Sequence, residues 1–399
     1  MPRIVLFGAG SIGRSFIGQV FAQNGYEVVF VDIDERIIDA LNRRGGYDVV
    51  IKHPEGAEET LRVSGVRAVD ARDTDRVSEE LVGTDLAATA VGAGALPSVA
   101  GLIRLGLLAR RANGSQTPLD VILAENVRDA ATLVADVVGA GTAVQRKELL
   151  DSIGLVRTSI GKMVPIVPAD VAARDPLVVF AEPYNTLIVD AHGFRNRVPD
   201  LPQIKAVDDI RAYVDRKLFV HNLGHAAVSY VGFRTVPAVT SIAEAVGIES
   251  VRAAARDAMS EAASALTAEY PGNFSIAELH EHRDDLLRRF ANRALGDTVY
   301  RVGRDLPRKL SRDERVVGAM LLAARLGLDF TAIADVYRAA LGFRATDDAG
   351  NPFPQDEHVV TLARSEGTEA VLTGVSGLRH GEEPDEQVIA TVLARGRRA

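Results

Sequence analysis

The stretch Ile4-Val5-Leu6-Phe7-Gly8-Ala9-Gly10-Ser11-Ile12-Gly13 decides the fold class of this chain. Four consecutive apolar residues ending in a glycine turn read as a buried strand, and apolar spacing over Ile12–Asn24 reads as the helix that follows. Gly8 allows the tight turn, Gly10 lets the backbone come within reach of a pyrophosphate, and Gly13 permits close packing of helix on strand. The free N–H groups at the helix start attract an anion. Glu27–Val31 reads as a second strand, with Asp32 at its end about 20 residues after the turn. A carboxylate there accepts the ribose hydroxyls of an adenosine and repels a 2′-phosphate. The candidate cofactor-binding residues are therefore Gly8, Ala9, Gly10, Ser11, Ile12, Gly13 and Asp32, and the cofactor expected is NAD rather than NADP. A plain glycine turn with Asp32 as a loop cap is the alternative. It has to treat as coincidence the motif, its strand–turn–helix context and the acidic residue.

Outward from this unit, short apolar runs alternate with helical spacing. After a helix at Ile37–Arg44, strand-like pieces at Tyr47–Ile51 and Thr60–Val69 suggest an antiparallel excursion. A polar helix around Asp75–Leu81, strand Leu86–Val91, helix Leu96–Arg111, strand Leu119–Ala124 and helix Val127–Val138 then resume the alternation. Such a pattern predicts a mostly parallel sheet covered on both faces. Gly154–Asp190 is again β-like. After about Leu201 strands are not expected, and Ala206–Val231, Ala238–Val246, Glu249–Tyr270, Ile276–Leu295, Arg312–Leu326 and Phe330–Leu341 carry helical periodicity. The turn-former loop Thr346–Gln355 precedes two or three more helices. The expected fold is an α/β Rossmann domain over residues 1–190 and an all-α substrate and catalytic domain over residues 191–399.

Composition agrees with a globular enzyme. The 399 residues are 47% hydrophobic and 25% charged, with 46 Lys and Arg against 54 Asp and Glu, and no cysteine. Disulfides, thiolate metal sites and a cysteine nucleophile are excluded. A net charge of −8 argues against nucleic acid as the main partner, while leaving room for a local basic pocket. No run approaches the roughly 20 apolar residues of a membrane span, and no secretory signal opens the chain. We expect a cytoplasmic protein, a monomer or small homo-oligomer, whose partner is a small molecule. No metal site is expected, since the histidines show no H-E-x-x-H pairing. His280 and His282 read as surface residues.

Lys217-Leu218-Phe219-Val220-His221-Asn222-Leu223-Gly224-His225 lies within a strong helical pattern. At 100° per residue, His225 and Asn222 fall about 80° and 140° from Lys217, on one side of the helix. Polar side chains gathered on an otherwise apolar helix are costly to bury unless each has a partner. A desolvated lysine suits a general base for an alcohol proton, and a carboxamide N–H suits a developing alkoxide. On spacing alone the alternative stays open: a lysine that snorkels to solvent and a satisfied core histidine. Val91-Gly92-Ala93-Gly94 is a second glycine-rich strand end. Gly92 either passes under a nicotinamide ribose or is turn chemistry. Asn126, just beyond strand Leu119–Ala124, stands where open α/β sheets bind ligands and also reads as the N-cap of the next helix.

Lys-x4-Asn-x2-His on a helix resembles the catalytic signature of the polyol-specific long-chain dehydrogenases. The resemblance extends to F-G-A-G-x-I-G-R at the N-terminus, T-A-V-G at Thr89–Gly92, A-E-N at Ala124–Asn126 and D-P-L at Asp175–Leu177. It continues through R-V-G-R-x-x-x-R-K-L-S at Arg301–Ser311 and F-R-x-x-D-D at Phe343–Asp348. It implies that Lys217 is the general acid/base, that His225 orients the substrate, and that Asn222 and Asn126 form an oxyanion hole. Asn126 thereby joins the cofactor-side residues with Gly92. Arg301 and Lys309 match polyol-contacting positions, and Arg308 completes a guanidinium-rich candidate substrate set. The activity implied is metal-independent, NAD-dependent interconversion of mannitol 1-phosphate and fructose 6-phosphate. An unphosphorylated ketose or a hexuronate is the alternative substrate, and a catalytically impaired NAD-binding regulator the alternative from another class. Two positions depart from the family. Gly161 replaces a substrate-contacting aspartate, and His221 stands where an apolar residue is expected.

Overall fold

The computed structural model of the chain describes residues 1–54, 56–127 and 129–395. It divides into two compact units, Met1–Val214 and Asp215–Ala399.

Among its described residues the first unit holds eleven strands: β1 (Arg3–Phe7), β2 (Glu27–Asp32), β3 (Gly46–Lys52), β4 (Glu58–Ser64), β5 (Val66–Asp70), β6 (Leu86–Thr89), β7 (Leu119–Leu123), β8 (Ile153–Ser159), β9 (Val179–Ala181), β10 (Leu187–Asp190) and β11 (Ile204–Val207). Eight form one sheet in the order β11-β10-β8-β7-β6-β1-β2-β5, and β4-β3-β9 form a second. Within the large sheet only β8 and β10 pair antiparallel. Alternate residues of its central strands enter separate cores. Ile4, Leu6, Val28 and Phe30 pack on one face, and Val5, Phe7, Val29 and Val31 on the other. Both faces being covered explains why these strands read as unbroken apolar runs. β1 lies between β2 and β6, so the chain order reverses beside it, and the carboxyl ends of β1 and β6 flank the crevice where such sheets take ligands.

Three expectations need correction. Thr60–Val69 is two strands, broken at Gly65, whose φ of +74° turns the chain. The first part pairs with β3 in the expected antiparallel excursion, and the second joins the large sheet beside β2. Strands also run past Leu201: β11 pairs parallel with β10, a partnership distant enough in sequence to leave no local signal. Finally, the helix expected from Val127 starts at Ala130, with Asp129 as its N-cap, so Asn126 does not cap it.

Among its described residues the second unit has helices and isolated bridges but no strand. The helix Glu249–Glu269 presents Val251, Ala255, Ala258, Met259, Ala262 and Leu266 to the interior at three- and four-residue spacing. Its Met259 side chain lies where a Cβ on Gly224 would stand, 2.4 Å from the sulfur. That approach explains the glycine between Asn222 and His225. Helices Asp356–Ser365, Thr368–Gly374 and Asp385–Arg395 follow the turn-former loop, as expected.

Candidate active site

The three glycines of the first turn are required for three different reasons. Gly8 has φ +96°, and a Cβ there would meet the Ala90 carbonyl oxygen at 2.4 Å. A Cβ on Gly13 would stand 2.0 Å from the Gly8 carbonyl oxygen, so close packing alone demands that glycine. Nothing lies within 4 Å of a Cβ on Gly10. The protein does not need Gly10 for itself, and the open approach fits a phosphate drawn against backbone N–H groups. Gly10 and Ser11 are exposed, while Ala9 and Gly13 are buried and Ile12 is half-buried. Arg14 locks the turn from behind, its Nε donating to the Ala9 carbonyl at 2.6 Å and its Nη1 to the Pro176 carbonyl at 2.8 Å. The D-P-L segment at Asp175–Leu177 is thereby tied to the glycine turn.

Asp32 reaches the same turn. Its Oδ2 accepts the Ala9 N–H at 2.6 Å, and its Oδ1 accepts those of Ile33 and Asp34 at 2.7 and 3.0 Å. A carboxylate offers about four acceptor sites, so capacity for a ribose hydroxyl remains. Beside it on the sheet edge, the buried Glu125 accepts the N–H groups of Val91 at 2.9 Å and Gly92 at 2.8 Å. Glu125 thus clamps the end of β6 to the end of β7, next to Asn126. Sequence reasoning quoted Glu125 inside A-E-N without giving it a role. The signal available was a carboxylate at the carboxyl end of a buried strand.

In the second unit, Lys217–Asn222 is not a regular α-turn but a π-helical one, with the Leu223 N–H donating to the Leu218 carbonyl five residues back. In such a turn residues five apart sit closer together around the axis than in an α-helix, which brings Lys217 and Asn222 nearer to one side than the 100° arithmetic allows. Burial holds the Lys217 amine down at about 8; the Arg315 guanidinium pushes the same way and the Glu314 carboxylate opposes. His225 lies flat on Phe290, with ring centroids 4.6 Å apart and planes 7° apart. Burial first, then Arg301, Arg315, Lys309 and Arg289, press its pKa down to about 3, so the ring is neutral at any working pH. His221 is buried beside Phe290 and is likewise held well below the ordinary histidine value, by burial and then by Arg289. His280 and His282 are half-buried rather than surface residues, and the buried Nε2 of His280 has no hydrogen-bond partner.

The basic stretch divides by role. Arg301 pairs with Asp297, whose other oxygen stands 3.3 Å from His225 Nε2, near but not aligned as a hydrogen bond. Lys309 is buried, and its amine donates to the carbonyls of Val302 at 2.6 Å and Arg304. Burial and then Arg315 bring that amine down to about 7. Arg308 is engaged by Asp305 at 2.5 Å and by Glu314 at 2.9 Å. Asp305 itself sits at φ +72°, and Asp356 steadies the turn by accepting the Leu306 N–H at 2.6 Å. The first unit therefore gathers the glycine turn, Asp32, Gly92 and Asn126 on one sheet edge. The second gathers Lys217, Asn222 and His225 on one helix, with Arg301 joined to His225 through Asp297. Asp297, Glu314 and Arg315 were not singled out from the sequence.

Two family models match the chain. One, the mannitol dehydrogenase Rossmann domain, covers residues 2–203, and the other, the mannitol dehydrogenase C-terminal domain, covers residues 209–391. Among solved structures, a D-sorbitol dehydrogenase in substrate-free form superposes with a TM-score of 0.82 at 17% identity, over 98% of this chain and 92% of that one. The Pseudomonas fluorescens mannitol 2-dehydrogenase, solved as a ternary complex with NAD and D-mannitol, gives 0.75 at 17% identity, over 99% and 90%. At that identity the likeness to these structures is one of fold.

Proposed function

The chain belongs to the mannitol dehydrogenase family, and from that premise we propose that it is an NAD-dependent polyol-phosphate dehydrogenase interconverting mannitol 1-phosphate and fructose 6-phosphate. The observation that carries the chemistry is the half-buried Lys217 amine, brought down to about 8 by burial and then by Arg315. An amine with that value is a base in one direction and an acid in the other near physiological pH.

The glycine turn would hold the pyrophosphate of NAD, with Asp32 on the adenosine ribose. When bound, the cofactor supplies a hydride acceptor at C4 of its nicotinamide. The protein's own part is proton transfer and orientation. In oxidation, neutral Lys217 takes the proton of the reacting hydroxyl. Asn222 offers its carboxamide N–H to the oxygen as its charge grows. His225 is neutral. With a carboxylate facing Nε2, its proton belongs on that nitrogen, leaving Nδ1 as an acceptor that orients a substrate hydroxyl. Arg301 and Lys309 are assigned to the polyol chain.

Gly161 supports the phosphorylated substrate. The nearest atoms to a Cβ there belong to the Tyr184 side chain, at an ordinary 3.7 Å. Packing does not forbid the family's aspartate, and without that carboxylate a dianionic substrate meets less repulsion. Steady-state rates with NADH and fructose 6-phosphate, fructose or fructuronate test the assignment. Fructose 6-phosphate is expected to give the highest kcat/KM by at least about tenfold, roughly 1.4 kcal/mol. Equal rates with fructose, or a preference for fructuronate, refute the phosphate. An inert protein that still binds NADH points to a regulator.

A further inference from the structure

The segment that follows the basic stretch returns to the catalytic turn. A Cβ on Gly318, near the start of helix Val317–Arg325, would stand 2.9 Å from the Phe219 ring. Phe219 lies between Lys217 and Asn222, so residues 313–318 run beside the π-turn. Arg315 is in this segment, its side chain 12% exposed. Its Nε donates to Glu314 Oε2 at 2.9 Å, while Glu314 Oε1 accepts from Arg308 at 2.9 Å. One carboxylate thus fixes two guanidinium groups. Arg308 has both edges in use, through Asp305 and Glu314. Arg315 does not, because neither of its terminal Nη groups donates to any described residue. A guanidinium this far from solvent ordinarily satisfies its donors within the protein. The same cation disfavours the charged forms of Lys217, His225 and Lys309, so its charge is felt at all three.

We propose that Arg315 receives the phosphoryl group of the substrate on its two free Nη groups, with Glu314 holding the guanidinium edge in position. The inference rests on the phosphate reading given above. A planar fork meets two phosphoryl oxygens at once, and the partial burial strengthens each charged hydrogen bond. Glu314 serves as a positioning residue, its Oε2 holding the Nε edge of Arg315.

Full-length wild type, Arg315→Gln and Arg315→Lys are compared with NADH against fructose 6-phosphate and fructose. The kcat/KM ratio between the two substrates is expected to fall about 100-fold in Arg315→Gln, mainly through KM for the phosphate ester. Arg315→Lys keeps the charge without the fork, and should recover only part of that ratio. If Arg315→Gln proves unstable, the lysine variant alone decides, with about a tenfold drop in the ratio expected. A wild type that discriminates, with variants that lose both substrates equally, overturns the assignment of Arg315 and leaves the phosphate reading standing. A wild type that does not discriminate removes the phosphate reading and this inference with it.

Discussion

Asp297 joins two side chains that the sequence lists far apart: His225 Nε2 lies 3.3 Å from one of its oxygens, and the Arg301 guanidinium closes on the other. The carboxylate is buried, with 6% of its side chain exposed, whereas Arg301 is 42% exposed. Asp297 therefore acts as the fixed member of the trio. It holds the Arg301 guanidinium in direction and places a carboxylate against the edge of the imidazole.

Asp297→Asn keeps the shape and removes the charge. We expect kcat/KM for the polyol phosphate to fall about 10- to 100-fold, roughly 1.4–2.7 kcal/mol of transition-state binding. The pH dependence assigned to Lys217 should keep its form. Steady-state kinetics with a parallel thermal melt is the check. A lower Tm with unchanged kcat/KM makes Asp297 a structural residue only.

The amine of Lys217 gives a sign to the pH profile. It loses its proton as pH rises through about 8, well below the ordinary lysine value, because burial and then Arg315 disfavour the charged form. Oxidation needs the neutral amine, so its kcat should climb through about pH 8. Reduction needs the ammonium and should decline over the same interval. Lys217→Met should lower both directions about 10³-fold and abolish this ionisation. Rates recorded across pH in both directions decide it, and a profile that survives the substitution removes Lys217 from the chemistry.

Gly10 and Gly13 should respond differently to the same added methyl. Gly10→Ala puts a Cβ into open space, so stability should change by no more than about 0.5 kcal/mol, while the Kd for NADH rises about tenfold or more. Gly13→Ala drives a Cβ to 2.0 Å from the Gly8 carbonyl, and should lose roughly 2 kcal/mol or more of folding free energy. Urea unfolding and NADH fluorescence titration separate the two. If Gly10→Ala binds NADH normally, no phosphate passes over that backbone.

Glu125 accepts two backbone N–H groups at the end of β6. Glu125→Ala leaves both without their acceptor and should cost about 2–3 kcal/mol, because each bond is only partly buried and water can replace part of it. Glu125→Gln keeps one carbonyl oxygen and should fall between that variant and wild type. Denaturant unfolding measures the order, and equal stability of all three proteins refutes the clamp.

Much of this was legible in the chain itself. The alternation from Ile4 to Asp32 specified strand, turn, helix and strand because each signal is local: an apolar run, glycines at fixed offsets and an acid about one βαβ unit later. The spacing of Lys217, Asn222 and His225 put three polar groups on one side of a helix, and the family resemblance gave them their proposed roles. Sequence was misleading where the partner was remote. β11 owes its existence to β10, and Gly65 divides one apparent strand between two sheets. His280 and His282 were placed at the surface because their own helix is acidic. Burial depends on what packs over that helix, and no periodicity records it.

Periodicity, turn chemistry and charge, all set by neighbours along the chain, determined an α/β unit with a dinucleotide turn and a helical unit carrying Lys217. Tertiary structure decided what those side chains experience. It made Gly10 open and Gly13 closed, and wound the Lys217 turn into a π-helix. It buried Asp297 between His225 and Arg301, and brought Arg315 within electrostatic reach of the lysine whose pKa it lowers. Desolvation and through-space charge depend on distance in three dimensions, and residues such as Lys217 and Arg315 lie too far apart in sequence for any local pattern to encode it.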